Sequence, residues 1–172
     1  VEGMNIEAAK NLKRGVHQCL ECLYNSMLWP VKNFTARGFL WYQGESNISN
    51  YQFYAPMMTA MVQLWRNVWE APDMPFYYVQ IAPYKYENSS NTGAALLREA
   101  QMEALKTIPN SGMVPTTDIG DEFCIHPPQK DVVGLRLATL ALTKTYGIRR
   151  LPSNGPTMTK VDYADKKAIV TF

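Results

Sequence analysis

Three short runs of apolar, aromatic and β-branched residues constrain this chain more than any other feature. They are Gly38-Phe39-Leu40-Trp41-Tyr42, Phe76-Tyr77-Tyr78-Val79-Gln80-Ile81 after Pro75, and Gly112-Met113-Val114-Pro115-Thr116-Thr117. Runs this short, without polar alternation, suit strands buried on both faces, as in a parallel sheet. Longer stretches with apolar residues at steps of three and four surround them. The first runs from about Ile6 to Leu28, with Ala8, Leu12, Val16, Cys19, Leu20, Leu23 and Met27 on one stripe, and Pro30 stops it. The second runs from about Tyr51 to Trp69, with Met57, Met61, Leu64, Trp65 and Val68 inward. The third runs from about Ala94 to Thr107. The last runs from about Gln129 to Tyr146, with Val133, Leu137, Leu140 and Ala141 inward and Gly147 as its stop. Helices alternating with buried strands imply a parallel sheet with helices on both faces.

The pattern changes after Gly147. Pro152, Gly155 and Pro156 mark a linker. Thr159 to Tyr163 and Lys167 to Phe172 then read as two strands around an Ala164-Asp165 turn. Residues 1–150 are therefore expected to form one α/β domain, and residues 151–172 a linker and the start of an all-β domain.

A chain of 172 residues has the size of one domain. Hydrophobic residues at 47% and charged residues at 19% supply one sizeable core and argue against disorder. The net charge is +2, and no basic run exceeds Arg149-Arg150, so nothing favours nucleic acid or a membrane as partner. No apolar run approaches the roughly 18 residues of a membrane span. The three cysteines are Cys19, Cys22 and Cys124, and an odd count argues against a disulfide framework. Cys19-Leu20-Glu21-Cys22 resembles a redox motif but lies within a helical pattern, so it reads as buried structural thiols. Four zinc ligands cannot be assembled at any recognised spacing, so neither metal nor cofactor is expected.

Ligands of open α/β sheets bind beyond the carboxyl ends of the strands. The polar loop after the first strand supplies Gln43, Glu45, Ser46 and Asn47; the loop after the third supplies Asp118, Asp121 and His126. Amide, carboxylate, hydroxyl and imidazole groups would converge there, a set suited to acyl transfer or hydrolysis. Pro127-Pro128 stiffens the backbone after His126, which suits a general base held in one orientation. The other histidine, His17, sits on the first helix and reads as structural. Gly44-Glu45-Ser46 begins a nucleophile-elbow pattern, but Ile48 stands where the second glycine belongs. Asn47 and the Gly44 N–H read instead as oxyanion donors. Glu45 would orient the imidazole, bind sugar hydroxyls or order its own loop. Trp41 and Tyr42 read as core, whereas Tyr84 and Tyr86, in a polar loop, are candidates for substrate contact.

Two blocks carry a resemblance. Phe39-Leu40-Trp41-Tyr42-Gln43-Gly44-Glu45-Ser46-Asn47 resembles the WYQGESN block of the sialate O-acetylesterase family of SGNH hydrolases. Ile125-His126-Pro127, with Lys130, Val133-Gly134, Arg136-Leu137-Ala138 and Tyr146-Gly147, resembles that family's IHP block. Val79-Gln80-Ile81-Ala82-Pro83 and Leu97-Arg98-Glu99-Ala100-Gln101 lie between them in the family's order, and the likeness covers about Leu20 to Gly147.

The resemblance implies a three-layer α/β/α SGNH-type esterase domain and a serine esterase acting on acetylated sialic acid or related sugars. His126 matches the catalytic histidine, and Gly44 and Asn47 the oxyanion hole; Gln43, Glu45 and Arg98 join them on the substrate side. The family's serine lies in a GQSNM block that is absent from these residues, so an upstream segment of the same protein is expected to carry it. The family's Asp three residues before the histidine is here Phe123. The triad acid is then Asp121 or Asp118, with Glu45 or a Ser–His dyad as alternatives. Other readings are a catalytically incomplete carbohydrate-binding fragment and an acetylxylan-type esterase. The substrate class implies a secreted, periplasmic or lysosome-like location.

Overall fold

The computed structural model describes residues 21–86, 92–153 and 155–172. His17, Cys19 and most of the first amphipathic stretch lie outside the described residues. Its end winds as a π-helical turn, Tyr24–Leu28, and then a 3-10 turn, Trp29–Val31. Pro30 therefore tightens the helix rather than cutting it, because a proline at the first positions of a turn gives up an N–H that has no partner there.

Three strands form a parallel sheet in the order β1-β2-β3: β1 Phe39–Trp41, β2 Phe76–Val79 and β3 Ser111–Val114. Phe39 pairs with Phe76, and Tyr78 with Met113. β3 ends just before Pro115, which cannot donate to the ladder. All four residues of β2 are buried. Its side chains alternate between two cores, because successive strand residues point to opposite faces. Phe76 and Tyr78 join a core with Tyr54, Met58, Val62, Leu97 and Ala104, while Tyr77 and Val79 join one with Val133, Leu137 and Leu140.

Those cores are closed by helices α1 Tyr54–Val68 and α2 Gly93–Thr107 on one face and α3 Lys130–Lys144 on the other. The three layers are thus helix, sheet and helix. The inward face of α1 differs from the sequence expectation: Met57 is 61% exposed and Leu64 47%, whereas the buried residues are Tyr54, Met58, Val62 and Arg66. This stripe advances by fours and includes a charge. Arg66 is buried because its Nε donates to Met74 O (2.9 Å) and its Nη2 to Pro109 O (2.7 Å).

The polar stretch after β1 is ordered. Glu45–Phe53 winds as a 3-10 helix kinked at Asn50 and leads directly into α1, so the α-helix starts at Tyr54 and not at Tyr51. Farther along, β4 Lys160–Ala164 and β5 Lys167–Thr171 form an antiparallel hairpin. Its turn is Asp165-Lys166, both at positive φ, one residue later than expected. Primed turns of this kind match the strand twist of a hairpin.

Candidate active site at the carboxyl end of the sheet

Two glycines let the loops after β1 and β3 close on the segment that leaves β2. A Cβ on Gly44 would lie 2.8 Å from Ile81 Cγ2 and 3.2 Å from Gln101 Nε2. A Cβ on Gly120 would lie 2.5 Å from Pro83 Cδ and 2.6 Å from its carbonyl oxygen. Neither loop could seat this closely with a side chain at those positions.

Gln101 fixes the first loop. It is fully buried, in line with Leu97 and Ala104 on α2. Its Oε1 accepts from Ile81 N–H (3.0 Å), its Nε2 reaches Val79 O (3.3 Å) and Gln43 O (3.4 Å), and its carbonyl accepts from the Tyr78 hydroxyl (2.6 Å). The Tyr54 hydroxyl donates to Gln43 O at 2.7 Å. Burial pushes the Tyr54 phenol up, with the Trp41 indole and Gln101 partly offsetting it. Gln43 in turn donates its side-chain amide to Asn47 Oδ1 (2.6 Å), and Asn47 N–H donates to Gly44 O (2.7 Å). The Asn47 Nδ2 and the Gly44 N–H are left without partners among the described residues.

The second loop is braced to α3. Arg136 closes on both carboxylate oxygens of Asp118, with Nη1–Oδ1 at 2.8 Å, and donates to Pro115 O at 2.7 Å. The guanidinium holds the Asp118 carboxyl down at about 2. Asp121 does different work: its Oδ1 accepts from Phe123 N–H (2.7 Å) and Cys124 N–H (3.0 Å), shaping the turn before His126. Cys124 Sγ donates to the His126 carbonyl at 3.1 Å. Cys124 is exposed on the turn that Asp121 shapes. His126 is also exposed, while Pro127 beside it is buried. Lys85 joins this loop to the β2 exit by an ion pair with Glu122 (3.0 Å) and a backbone bond to Glu122 O (3.1 Å). A cleft of about 340 Å³ runs between Pro83-Tyr84-Lys85 and Thr117 to Glu122.

The structure thus brings Gln43, Gly44 and Asn47 into one network and sets Asp118, Asp121 and His126 on one loop. No hydrogen bond among the described residues joins the His126 side chain to Asp118, Asp121, Glu45 or Ser46. Ser46 is exposed on the 3-10 helix. Arg98 is half-buried, and its carbonyl accepts from Gln80 Nε2 at 3.0 Å. The Tyr86 phenol is pushed up to about 12, first by burial and then by the Glu45 carboxylate, with Arg98 opposing. Burial and Glu45 also raise Tyr42.

Sequence reasoning assigned no role to Gln101, Tyr54 or Arg136. Gln101 had a signal: a glutamine in register with Leu97 and Ala104 must be buried with its hydrogen bonds satisfied. No group of three or more His, Cys, Asp or Glu among the described residues is arranged to hold a metal ion.

Comparison with known proteins agrees with this architecture. The sequence profile of the family described as "Carbohydrate esterase, sialic acid-specific acetylesterase" matches residues 3–143. The sialate O-acetylesterase of Rattus norvegicus is 32% identical over 167 residues, covering 87% of this chain and 31% of the rat protein. The Homo sapiens sialate O-acetylesterase is 30% identical, covering 87% of this chain and 32% of its own length. The crystal structure of a carbohydrate acetylesterase from Xanthomonas citri superposes with a TM-score of 0.79 at 34% identity, over 86% of this chain and 34% of that one. The chain therefore spans about a third of each of these relatives. On the profile match and the fold together, the chain belongs to the carbohydrate esterase family of sialic acid-specific acetylesterases.

Proposed function

We propose that this chain supplies the acid/base and oxyanion half of a serine esterase that removes O-acetyl groups from sialic acid or a related sugar. One observation carries the reading. Gln43 occupies the Asn47 carbonyl oxygen, and among the described residues neither the Asn47 amide nitrogen nor the Gly44 N–H has a hydrogen-bond partner, which leaves two donors at the carboxyl edge of a parallel sheet. Donors held in advance, where charge develops, are what acyl transfer requires.

In the proposed sequence His126 takes the proton of a serine carried by another segment of the protein. The serine oxygen attacks the acetyl carbonyl, and the resulting oxyanion rests on Gly44 N–H and Asn47 Nδ2. The C–O bond to the sugar then breaks as His126 returns the proton to the departing alkoxide. Water, deprotonated by His126, cleaves the acetyl-serine, giving acetate and free serine. Asp121 is the preferred partner of His126, because Arg136 already engages both oxygens of Asp118. Acetylated glycans place the reaction in a secreted, periplasmic or lysosome-like setting.

The test is acetate release from an aryl acetate and from O-acetylated sialic acid, by the longest polypeptide encoded around this chain. His126→Ala is expected to lower kcat by about a thousandfold or more. Equal release by the wild-type protein and the His126 variant would remove the proposal. Sugar binding without acetate release would instead favour a carbohydrate-binding fragment.

A further inference from the structure

The two halves of the proposed site follow strands that are not neighbours. β2 separates β1 from β3, and among the described residues no hydrogen bond or ion pair joins residues 42–47 to residues 115–130. Each loop is held to other elements. Tyr54 and Gln101 support the first, while Arg136 and Lys85 hold the second at Asp118 and Glu122. None of these bonds sets the distance from His126 to the Gly44 and Asn47 donors. That distance decides whether one acetyl group can meet both, and a misplacement of about 1 Å can cost about a hundredfold in rate.

One contact crosses the gap. The Lys130 ammonium lies 4.5 Å from the centre of the Tyr42 ring, inside the roughly 6 Å over which a cation is drawn to an aromatic face. Tyr42 immediately precedes Gln43, and it packs against the core of Val133, Leu137 and Leu140, which fixes its ring on the α3 face of the sheet. Lys130 is the first residue of α3 and is reached from His126 through Pro127, Pro128 and Gln129. Two prolines of fixed φ leave that link little freedom. Pro127 is also buried, and Lys130 N–H donates to Pro128 O at 2.7 Å. The contact therefore ties the backbone four residues after the imidazole to the backbone one residue before the Gln43–Asn47 loop. Burial does not account for the pose of the Lys130 side chain, because the residue is exposed. Nor does a carboxylate, since its ammonium has no ion-pair partner among the described residues.

We propose that Lys130 is a positioning residue: its ammonium, seated on the Tyr42 ring, clasps the His126 loop to the Gln43–Asn47 loop and sets the distance between the imidazole and the oxyanion donors. This rests on the esterase reading above and adds the contact that joins the two halves of the site. The rival role for a cation at this edge is direct contact with an acidic substrate, and it has a different kinetic signature.

The experiment compares Lys130→Met, Lys130→Arg, Tyr42→Leu and Tyr42→Phe in the same long polypeptide, on an uncharged aryl acetate. Lys130→Met keeps the stem and removes the charge. It is expected to lower kcat about ten- to a hundredfold with KM held within about twofold, because a reacting group is displaced while substrate contacts stay. The conservative changes Lys130→Arg and Tyr42→Phe keep a cation and a ring face, and should restore kcat to within about threefold of wild type. Tyr42→Leu should match Lys130→Met, and the double variant Lys130→Met/Tyr42→Leu should be no worse than either. If Tyr42→Leu folds poorly, the two Lys130 variants carry the test, since that side chain is exposed. An unchanged kcat, no rescue by arginine, or a loss confined to KM on O-acetylated sialic acid would overturn the proposal. The second readout is amide hydrogen exchange over residues 42–47 and 120–130. It is expected to quicken in both segments in Lys130→Met and to return to the wild-type rate in Lys130→Arg. Coupled quickening while no form releases acetate would sink the esterase reading and keep the clasp. Acetate release with kcat and exchange unchanged in Lys130→Met would do the reverse.

Discussion

Gly44 lies against Ile81 so closely that a single added carbon would stand 2.8 Å from the isoleucine Cγ2. This contact sets the height of the Gln43–Asn47 loop above the sheet. Gly44→Ala must push the loop away from Ile81 and Gln101, or push both of them aside. Overpacking of this kind costs about 1–3 kcal/mol. The loss should appear in denaturant melts. Acetate release, if the proposed oxyanion role is correct, should fall further than the stability loss explains, because the Gly44 N–H and Asn47 move together.

The ion pair between Arg136 and Asp118 makes a prediction in pH. The Asp118 carboxyl is held at about 2, below its ordinary 3.8. A depressed carboxyl stabilises the fold above its unfolded value and loses that contribution as pH falls through its folded one. The pair should therefore contribute fully above about pH 4 and be lost on acidification toward about pH 2. Asp118→Asn should be less stable than the wild type at pH 6, and the two melting temperatures should converge between those limits. Parallel acid profiles for the two proteins would show that the pair contributes nothing, as for many exposed ion pairs.

The two aspartates of the His126 loop should separate in activity. Asp118 is engaged by Arg136, while Asp121 has one oxygen on two backbone N–H groups and the other without a partner among the described residues. If Asp121 orients His126, Asp121→Asn should lower kcat by on the order of 10²–10⁴, as loss of a triad carboxylate does. Asp118→Asn should cost far less and act through the position of the loop. The reverse order would assign the triad role to Asp118.

Much of the architecture was legible because β2 is buried on both faces. A run such as Phe76-Tyr77-Tyr78-Val79 has no place but the middle of a sheet covered on both sides. The blocks around Gly44 and His126 likewise pointed to the carboxyl edge of that sheet. The face of α1 was not legible, because periodicity counts apolar residues and Arg66 belongs to the buried stripe. Its burial depends on the carbonyls of Met74, past the end of α1, and Pro109, after α2, which reach it only once the chain has folded. The ion pair of Asp118 was not legible for the same reason. Nothing local says that Arg136, eighteen residues on, will close on it.

Gln101 makes the last prediction, because one buried side chain there serves both the exit of β2 and the site loop after β1. Gln101→Leu keeps the volume and the apolar register with Leu97 and Ala104. It also orphans the Ile81 N–H, whose acceptor is Gln101 Oε1 at 3.0 Å. A buried donor left without a partner costs about 1–3 kcal/mol. The Gln43 carbonyl would keep only the Tyr54 hydroxyl, so the loop should loosen as well as the core. Tyr54→Phe breaks the other support of the same carbonyl and leaves the Ile81 N–H satisfied. The prediction is therefore an ordering: Gln101→Leu lowers Tm more than Tyr54→Phe, while both reduce acetate release. Because the two changes share the Gln43 carbonyl, their effects on activity should also be non-additive in the double variant. Additive losses would mean that the two residues support the site independently, and that the Gln43 carbonyl is not the point through which they act.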